Sequence, residues 1–232
     1  MAHRTRVKIC GVRRPEDALA AARAGADAIG LVFHPAAPRN VSVEAAREIL
    51  AVLPAFVTPV GVFADADAAS FDPVVSALRL RHVQFNGDES PDYVRQFPTL
   101  AVVKAIRVEA GKFAATLDRW RTAVAAGGLA QLKGLVLETA HTAERGGTGV
   151  PNDWRTVREH LARGAFEGLP PVIAAGGLTP ETVGAVVRDL RPYAVDVSSG
   201  VEETRGVKSA AKIEAFVAAV RAADQATGSS GR

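Results

Sequence analysis

The hydrophobic and polar positions of this chain recur in a fixed order. A short apolar run rich in β-branched residues comes first, a loop of glycine, proline and aspartate follows, and an alanine-rich amphipathic segment closes the unit. The apolar runs predict strands at Val7–Cys10, Ala28–Phe33, Thr58–Phe63, His82–Phe85, Ala101–Ile106, Gly134–Leu137, Val172–Ala174 and Ala194–Val197. The amphipathic segments predict helices at Pro15–Ala24, Val43–Leu53, Pro73–Leu80, Pro91–Phe97, Ala114–Ala126, Trp154–Arg163, Pro180–Leu190 and Ser209–Ala222.

Eight strand–helix units of about 29 residues each are typical of an α/β protein with a single (β/α)8 TIM barrel. Short, wholly apolar strands separated by helices indicate a parallel sheet that is buried on both faces. An open doubly wound sheet is the alternative, but Cys10-Gly11-Val12-Arg13 follows the first strand where that fold places G-x-G-x-x-G. We expect one barrel domain over residues 1–223 and a flexible, small and polar C-terminal tail over residues 224–232.

Composition and charge exclude several classes of protein. The 28 Lys and Arg residues are interspersed with 25 Asp and Glu residues, giving a net charge of +3 without the basic cluster of a nucleic-acid or membrane-surface binder. Prolines interrupt the longest weakly polar stretch, residues 51–64, so no membrane span is expected. One cysteine permits neither an internal disulfide nor a cysteine-rich zinc site. These features predict a cytoplasmic protein that binds neither nucleic acid nor membrane.

Polar residues at the carboxyl ends of the strands are the candidates for chemistry, because TIM barrels carry their active sites there. The candidates are Cys10, Arg39, Asp65, Gln84, Asn86, Asp88, Arg107, Glu138, Asp196, Ser198 and Ser199. Lys8, inside the first strand, is interpreted as a charge of the polar barrel layer or as the partner of a carboxylate.

Three glycine-rich loops follow the last three strands. They contribute Gly147, Thr148 and Gly149 after strand six, Gly176 and Gly177 after strand seven, and Ser198, Ser199 and Gly200 after strand eight. Glycine lets successive backbone N–H groups approach an anion closely. A glycine pair alone is a weak signal, but three such loops after the final strands predict a phosphate site.

Two strand-end residues are candidates for acid–base chemistry. Cys10 is either a buried small hydrophobic residue or a functional thiol at the barrel mouth. Glu138 ends an otherwise apolar strand, so its pKa is expected to be raised, as a general acid near neutral pH requires. The alternative is that Glu138 forms an ion pair with Arg107 or Lys104.

These residues stand in motifs that resemble those of phosphoribosylanthranilate isomerase, a family of tryptophan biosynthesis. The resemblance runs from about residue 6 to residue 220 and comprises Val7-Lys8-Ile9-Cys10-Gly11, Gly30-Leu31-Val32-Phe33 with Pro38-Arg39, Val60-Gly61-Val62-Phe63, Val83-Gln84-Phe85-Asn86-Gly87-Asp88-Glu89, Gly146-Gly147-Thr148-Gly149 with Asp153-Trp154, Ala175-Gly176-Gly177-Leu178, Val195-Asp196-Val197-Ser198-Ser199-Gly200-Val201-Glu202, and Gly206-Val207-Lys208. The first and last motifs are specific when they occur together in this order.

The resemblance implies an Amadori rearrangement of a phosphorylated aminosugar, without metal or cofactor. An acid protonates the furanose ring oxygen, and a base removes the C2 proton of the resulting Schiff base. The resemblance implies that Cys10 is the base, with its pKa lowered by nearby positive charge or a helix N-terminus. It also implies that Arg39 holds the substrate carboxylate and that Asp196 positions the sugar. The glycine loops would bind the 5-phosphate, and Gln84 and Asn86 are further expected substrate contacts.

Two residues depart from the family pattern. Glu138 stands where an aspartate acid is usual, and Asn86 stands where histidine is common. A misplacement of about 1 Å can lower a rate by on the order of 10²-fold, so a compensating change is expected elsewhere. Three hypotheses stay open: the family's isomerase, a paralogue acting on a different phosphoribosyl aryl amine, and a non-catalytic phosphosugar-binding barrel. The chain is expected to be a monomer or a homodimer.

Overall fold

A closed eight-stranded barrel forms the centre of the molecule. The structure is a computed structural model that describes residues 4–109, 111–139 and 154–229. The barrel strands are β1 Arg6–Cys10, β2 Ala28–Val32, β3 Thr58–Phe63, β4 His82–Phe85, β5 Ala101–Val108, β6 Leu132–Thr139, β7 Val172–Ala174 and β8 Ala194–Val197. They pair in parallel in chain order, and β8 closes on β1, so the predicted TIM barrel is confirmed.

Helices follow the barrel strands within the described residues. They are α1 Pro15–Ala24, α2 Val43–Val52, α3 Ala68–Leu78, α4 Pro91–Arg95, α5 Phe113–Ala125, α6 Trp154–Ala162, α7 Val183–Leu190 and α8 Ala210–Ser229. The predicted start signals act locally: Pro15 opens α1, and the Ser42 side chain accepts a hydrogen bond from the Ala45 N–H at the start of α2. Among the described helices, none is long and apolar enough to cross a membrane.

Helix α3 begins earlier than predicted. Pro73 was expected to open it, but Pro73 lies inside the helix, which starts at Ala68. The Asp67 side chain accepts a hydrogen bond from the Ser70 N–H and so caps the first turn. The side-chain cap, rather than the proline, therefore sets this boundary.

Helix α8 continues beyond the predicted start of the tail. It runs through Asp224 to Ser229, and Asp224 accepts two hydrogen bonds from Thr5, from its N–H at 2.8 Å and its hydroxyl at 2.7 Å. Thr5 is buried. The first residue of the predicted tail, Asp224, is thus tied to the start of β1 by a long-range polar contact. The flexibility of the tail stays a prediction.

Strand alternation decides which side chains enter the barrel mouth. On β6, Leu135 and Leu137 join the large cluster between strands and helices, while Val136 joins a smaller cluster with Ala105, Ile173 and Ala194. Since alternate residues of a strand share a face, Glu138 lies on the side of Val136. By the same alternation Asp196 shares the face of Ala194. Both carboxylates therefore point toward the mouth of the barrel.

Beyond β8 the chain forms a small polar subdomain at the same end of the barrel. A 3₁₀ turn, Ser199–Val201, leads into a two-stranded antiparallel ribbon of β9 Glu202–Thr204 and β10 Val207–Lys208. The buried face of this ribbon carries Glu202 and Lys208. Two charged residues are thereby placed beneath the strand-eight loop.

Candidate active site

One cleft at the carboxyl ends of the strands collects most of the predicted site residues. Of those, Cys10, Arg39, Asn86, Glu138, Gly176, Gly177, Asp196, Ser198, Ser199 and Gly200 all line it. They come from loops and strand ends spread around the barrel, so the closed topology brings them together. The loop containing Gly147, Thr148 and Gly149 lies outside the described residues.

Cys10 lies at the end of β1, opposite Gly30 of β2. A Cβ atom on Gly30 would stand 2.8 Å from the Cys10 Sγ, so glycine leaves the space that the thiol occupies. Burial raises the pKa of Cys10, although the ammonium groups of Lys8 and Lys208 act to lower it. The lowered pKa that the family resemblance implies is not found in the structure, because desolvation and the nearby Asp196 carboxylate outweigh the two lysines.

Lys8 and Asp196 form a buried ion pair across the β1–β8 seam. The Lys8 Nζ donates to Asp196 Oδ2 at 2.7 Å, which confirms the interpretation of Lys8 as the partner of a carboxylate. Burial would lower the pKa of Lys8, but Asp196 and Cys10 more than offset it, so the lysine stays charged. The other carboxylate oxygen of Asp196 is buried without a partner among the described residues. It is available to a hydroxyl group in the cleft.

Glu138 faces the cleft from β6 and is held by an amide. The Asn86 Nδ2 lies 3.1 Å from each carboxylate oxygen of Glu138. Burial raises the pKa of Glu138, as predicted for an acid at this position, while the Asn86 hydrogen bond acts in the opposite direction. The alternative ion pairs are not formed: Lys104 pairs with Glu89, and Arg107 pairs with Asp88.

Arg39 reaches the cleft over Gly11. A side chain at Gly11, where φ is +72°, would overlap the Arg39 side chain, so this crossing requires glycine. The guanidinium donates from Nε and Nη2 to the two oxygens of Glu202, at 2.6 and 2.7 Å. The family resemblance implies that Arg39 binds the substrate carboxylate, and the sequence analysis gives no role to Glu202. In the structure one edge of the guanidinium is already paired.

The two described glycine loops form a concave backbone surface on one side of the cleft. Gly176 and Gly177 both adopt left-handed backbone conformations, with φ of +93° and +66°. A Cβ on Gly200 would overlap the carbonyl oxygen of Leu178, so the two loops can touch only with glycine there. Ser198 and Ser199 add hydroxyl groups to the same side. This arrangement suits an anion such as phosphate.

Other strand-end candidates lie outside the cleft or behind it. Gln84 is 1% exposed and contacts Asn86, so it acts on the site through that residue. Arg107 pairs with Asp88, whose N–H donates to Asp65, and none of the three lines the cleft.

Sequence reasoning gave no role to Lys208, which is fully buried. Its Nζ donates to the Ser198 carbonyl at 2.9 Å and to Glu202 at 3.0 Å. Burial lowers the pKa of Lys208, and Glu202 acts against that shift. The available signal was the position of Lys208 in the Gly206-Val207-Lys208 motif, six residues after Glu202.

The described residues hold no group of three histidine, cysteine, aspartate or glutamate side chains placed to bind a metal ion. The polar side chains that line the cleft instead include a thiol, two carboxylates, an amide and a guanidinium. The buried amines of Lys8 and Lys208 donate to Asp196 and to the Ser198 carbonyl. These groups suit proton transfer next to a bound anion.

Comparison with known proteins decides the family. The family model of N-(5'-phosphoribosyl)anthranilate isomerase matches residues 7–219. The chain belongs to the phosphoribosylanthranilate isomerase family. A relative from Pseudomonas fluorescens SBW25, named N-(5'-phosphoribosyl)anthranilate isomerase, is 44% identical over 216 residues, covering 93% of this chain and 95% of its own length.

Solved phosphoribosylanthranilate isomerases share the architecture. The enzyme from Thermus thermophilus has a TM-score of 0.78 and 36% identity, over 94% of this chain and 99% of its own. A second structure holds reduced 1-(o-carboxyphenylamino)-1-deoxyribulose 5-phosphate; its TM-score is 0.77 at 32% identity, over 94% and 99% of the two chains. The resemblance drawn from the sequence motifs is therefore confirmed.

Proposed function

We propose that this chain isomerises N-(5'-phosphoribosyl)anthranilate to 1-(2-carboxyphenylamino)-1-deoxyribulose 5-phosphate, the step of tryptophan biosynthesis that the family resemblance implies. The observation that carries the proposal is the shared cleft: the Cys10 thiol, the Glu138 carboxyl and the glycine loops all line it. A thiol and a carboxyl group with a raised pKa supply a base and an acid. The loops supply a place for the phosphate of the substrate.

The proposed reaction uses two proton transfers. Protonated Glu138 donates its proton to the furanose oxygen, the C1–O bond breaks, and the nitrogen lone pair forms the Schiff base. The Cys10 thiolate then removes the C2 proton, the electron pair of that C–H bond forms the C1–C2 double bond, and the π pair of the C=N bond moves to the imine nitrogen. The resulting enolamine tautomerises to the ketone. The imine nitrogen is the electron sink, so the chemistry requires no cofactor.

The substrate has three polar parts, and the cleft offers a partner for each. The glycine loops face the phosphate, and the unpartnered Oδ1 of Asp196 faces a sugar hydroxyl. Arg39 gives its Nε and Nη2 groups to Glu202, which leaves its Nη1 donors for the anthranilate carboxylate. Pairing with Glu202 thus fixes the plane of the guanidinium before the substrate arrives.

Turnover of freshly prepared phosphoribosylanthranilate, followed by the loss of anthranilate-type fluorescence, tests this proposal. We expect Cys10→Ala and Glu138→Gln each to lower kcat by about 10²–10⁴-fold, because each removes one proton-transfer group. Glu214→Gln, the same change at an exposed position of α8, is the matched control and should leave kcat unchanged.

Two outcomes would contradict the proposal. Binding of a phosphoribosyl ligand without turnover by the wild type would indicate a non-catalytic barrel or a paralogue, and turnover of other phosphoribosyl aryl amines would separate those two. Wild-type turnover that survives Glu138→Gln would remove Glu138 from the mechanism. The cytoplasmic location and the monomeric or homodimeric state stay predictions from the sequence.

A further inference from the structure

Within the part of the chain that the structure describes, one side chain bridges the two carboxylate oxygens of Glu138. The Nδ2 atom of Asn86 lies 3.1 Å from Oε1 and 3.1 Å from Oε2, so one amide group spans both oxygens. Such a bridging donor restricts rotation about the last bond of the glutamate side chain. Glu138 is partly open to the cleft, and among the described residues Asn86 is the side chain that holds its carboxylate by hydrogen bonds.

The side-chain amide of Gln84 fixes the orientation of the Asn86 amide. Gln84 donates from Nε2 to the Oδ1 of Asn86, so Asn86 must turn its NH₂ group toward Glu138. The opposite amide orientation would face oxygen against oxygen at the carboxylate. Gln84 points inward from β4, between Val62 of β3 and Val103 of β5, and is 1% exposed. The orientation of Asn86 is therefore set by a side chain locked in the barrel wall.

This orientation leaves a polar atom unsatisfied. Gln84 Oε1 is buried and has no hydrogen-bond partner among the described residues. An unsatisfied buried acceptor is destabilising, so its presence calls for a reason. Donation from Gln84 to Asn86 supplies one, because the same donation directs the Asn86 NH₂ group to the acid.

We propose that Asn86, oriented by Gln84, is the positioning residue for the acid of this enzyme, and that the short Asn86 side chain is matched to the long Glu138 side chain. Glutamate at position 138 reaches one methylene farther than the aspartate usual in the family. Asparagine at position 86 is shorter than the histidine common there. The longer side chain at position 138 and the shorter side chain at position 86 therefore compensate for each other in the contact between them. This inference rests on the proposed function.

Charged groups on neighbouring elements also face Glu138 and affect its pKa. Asp196 on β8 raises it, whereas Lys8 on β1 and Lys104 on β5 lower it. Arg107, the neighbour of Glu138 in the β5–β6 register, is paired with Asp88. The Asn86 bond stabilises the ionised carboxylate, so its removal should raise the Glu138 pKa while the other charges stay in place.

Asn86→Leu tests the proposal because leucine is close in volume but donates no hydrogen bond. We expect kcat to fall by about tenfold to a hundredfold through misplacement of the acid, with KM changed by less than about threefold. Infrared difference spectroscopy gives a second readout. The protonated-carboxyl band that Glu138→Gln removes should persist to higher pH in Asn86→Leu than in the wild type.

The matched control is Gln131→Leu, which removes a buried amide whose partner is the carbonyl of Val94, away from the cleft. It should lower the melting temperature while leaving the carboxyl titration and kcat unchanged. An unchanged carboxyl titration in Asn86→Leu would overturn the proposal, as would an unchanged kcat. Because the titration needs no substrate, it still tests the Asn86 contact if the wild type proves inactive on phosphoribosylanthranilate.

The proposed match between the side-chain lengths of Glu138 and Asn86 has a separate test. Glu138→Asp should lose activity because the shorter acid withdraws from Asn86. Adding Asn86→Gln moves the missing methylene to the other partner, so the double variant should be more active than Glu138→Asp alone. A double variant whose loss equals the product of the two single losses would overturn the matching of side-chain lengths.

Discussion

At the scale of single residues, the pKa of the Cys10 thiol depends on electrostatic effects that oppose one another. It is removed from water beside Asp196, and both effects raise its pKa. Lys8 and Lys208 bring positive charge close enough to oppose them. The neutral form of the thiol is therefore favoured. A thiolate base must form against this preference, so the balance of charge around Cys10 controls how much of the enzyme is ready to react.

The balance of charge around Cys10 predicts that two substitutions shift its ionisation in opposite directions. Lys8→Met should raise the pH at which Cys10 is half-ionised, because it removes a charge that stabilises the thiolate. Asp196→Asn should lower that pH, because it removes a charge that disfavours the thiolate. The rate of iodoacetamide alkylation against pH measures both, and the single cysteine makes the signal unambiguous.

Lys133→Met, at an exposed position of β6, is the control for the loss of one lysine charge. It should leave the alkylation midpoint in place, since exposed charges at a distance are screened. Shifts of Lys8→Met and Asp196→Asn in the same direction would show that the two residues act on Cys10 through structure and not through charge.

At the scale of secondary-structure elements, local patterns predicted the strands and most helices well. The eight predicted strands all appear, because each is an apolar run bounded by loop residues. Helix α3 begins before the predicted Pro73, because the Asp67 side chain caps its first turn and proline is tolerated inside it. Strands β5 and β6 extend beyond their apolar cores because each pairs with the other over a long register. Pairing of this kind is tertiary, and hydropathy alone does not contain it.

The contact between the loops after β7 and β8 makes a second prediction. Gly200→Ala should raise KM by about tenfold or more, because a Cβ there would overlap the Leu178 carbonyl and push apart the two loops proposed to hold the phosphate. Steady-state kinetics with inorganic phosphate as a competing ligand measures the effect. The phosphate inhibition constant should rise in parallel with KM.

Gly184→Ala, inside α7, makes the same substitution where the nearest side-chain atom belongs to the flexible end of Arg188. It should leave KM unchanged and stabilise the helix slightly, because alanine favours a helix interior over glycine. An unchanged KM in Gly200→Ala would argue against these loops as the phosphate site.

At the scale of the whole molecule, the site depends on contacts between distant parts of the sequence. Arg39 and Glu202 are 163 positions apart, and Lys8 and Asp196 are 188 positions apart. The sequence predicted that Cys10, Asn86, Glu138 and Asp196 would lie together, because the strand ends of a barrel converge, and all four line one cleft. It did not identify the role of Glu202 or Lys208, because these lie on a ribbon beyond the last strand, whose folding onto Arg39 no local pattern encodes.

The contact between Thr5 and α8 leads to a prediction about stability. Asp224→Ala should lower the free energy of unfolding by about 1–3 kcal/mol, because it leaves the buried N–H of Thr5 without its acceptor. Urea unfolding measures the change. Glu214→Ala on an exposed turn of α8 is the control and should stay within about 0.5 kcal/mol of the wild type. Equal stability of both variants would support the flexible tail predicted from the sequence.

The pairing of β8 with β1 also bears on how the protein is made. Of the barrel strands, the ribosome completes β1 first and β8 last, and 188 positions separate the two partners of the Lys8–Asp196 pair. At about 5–20 residues per second, the first strand waits on the order of ten seconds or more for its final neighbour. Until then β1 has an open edge, and Lys8 and Cys10 have no Asp196 beside them. Closure of the barrel and formation of the Lys8–Asp196 pair beside Cys10 are consequently one event, which must wait until β8 has been made.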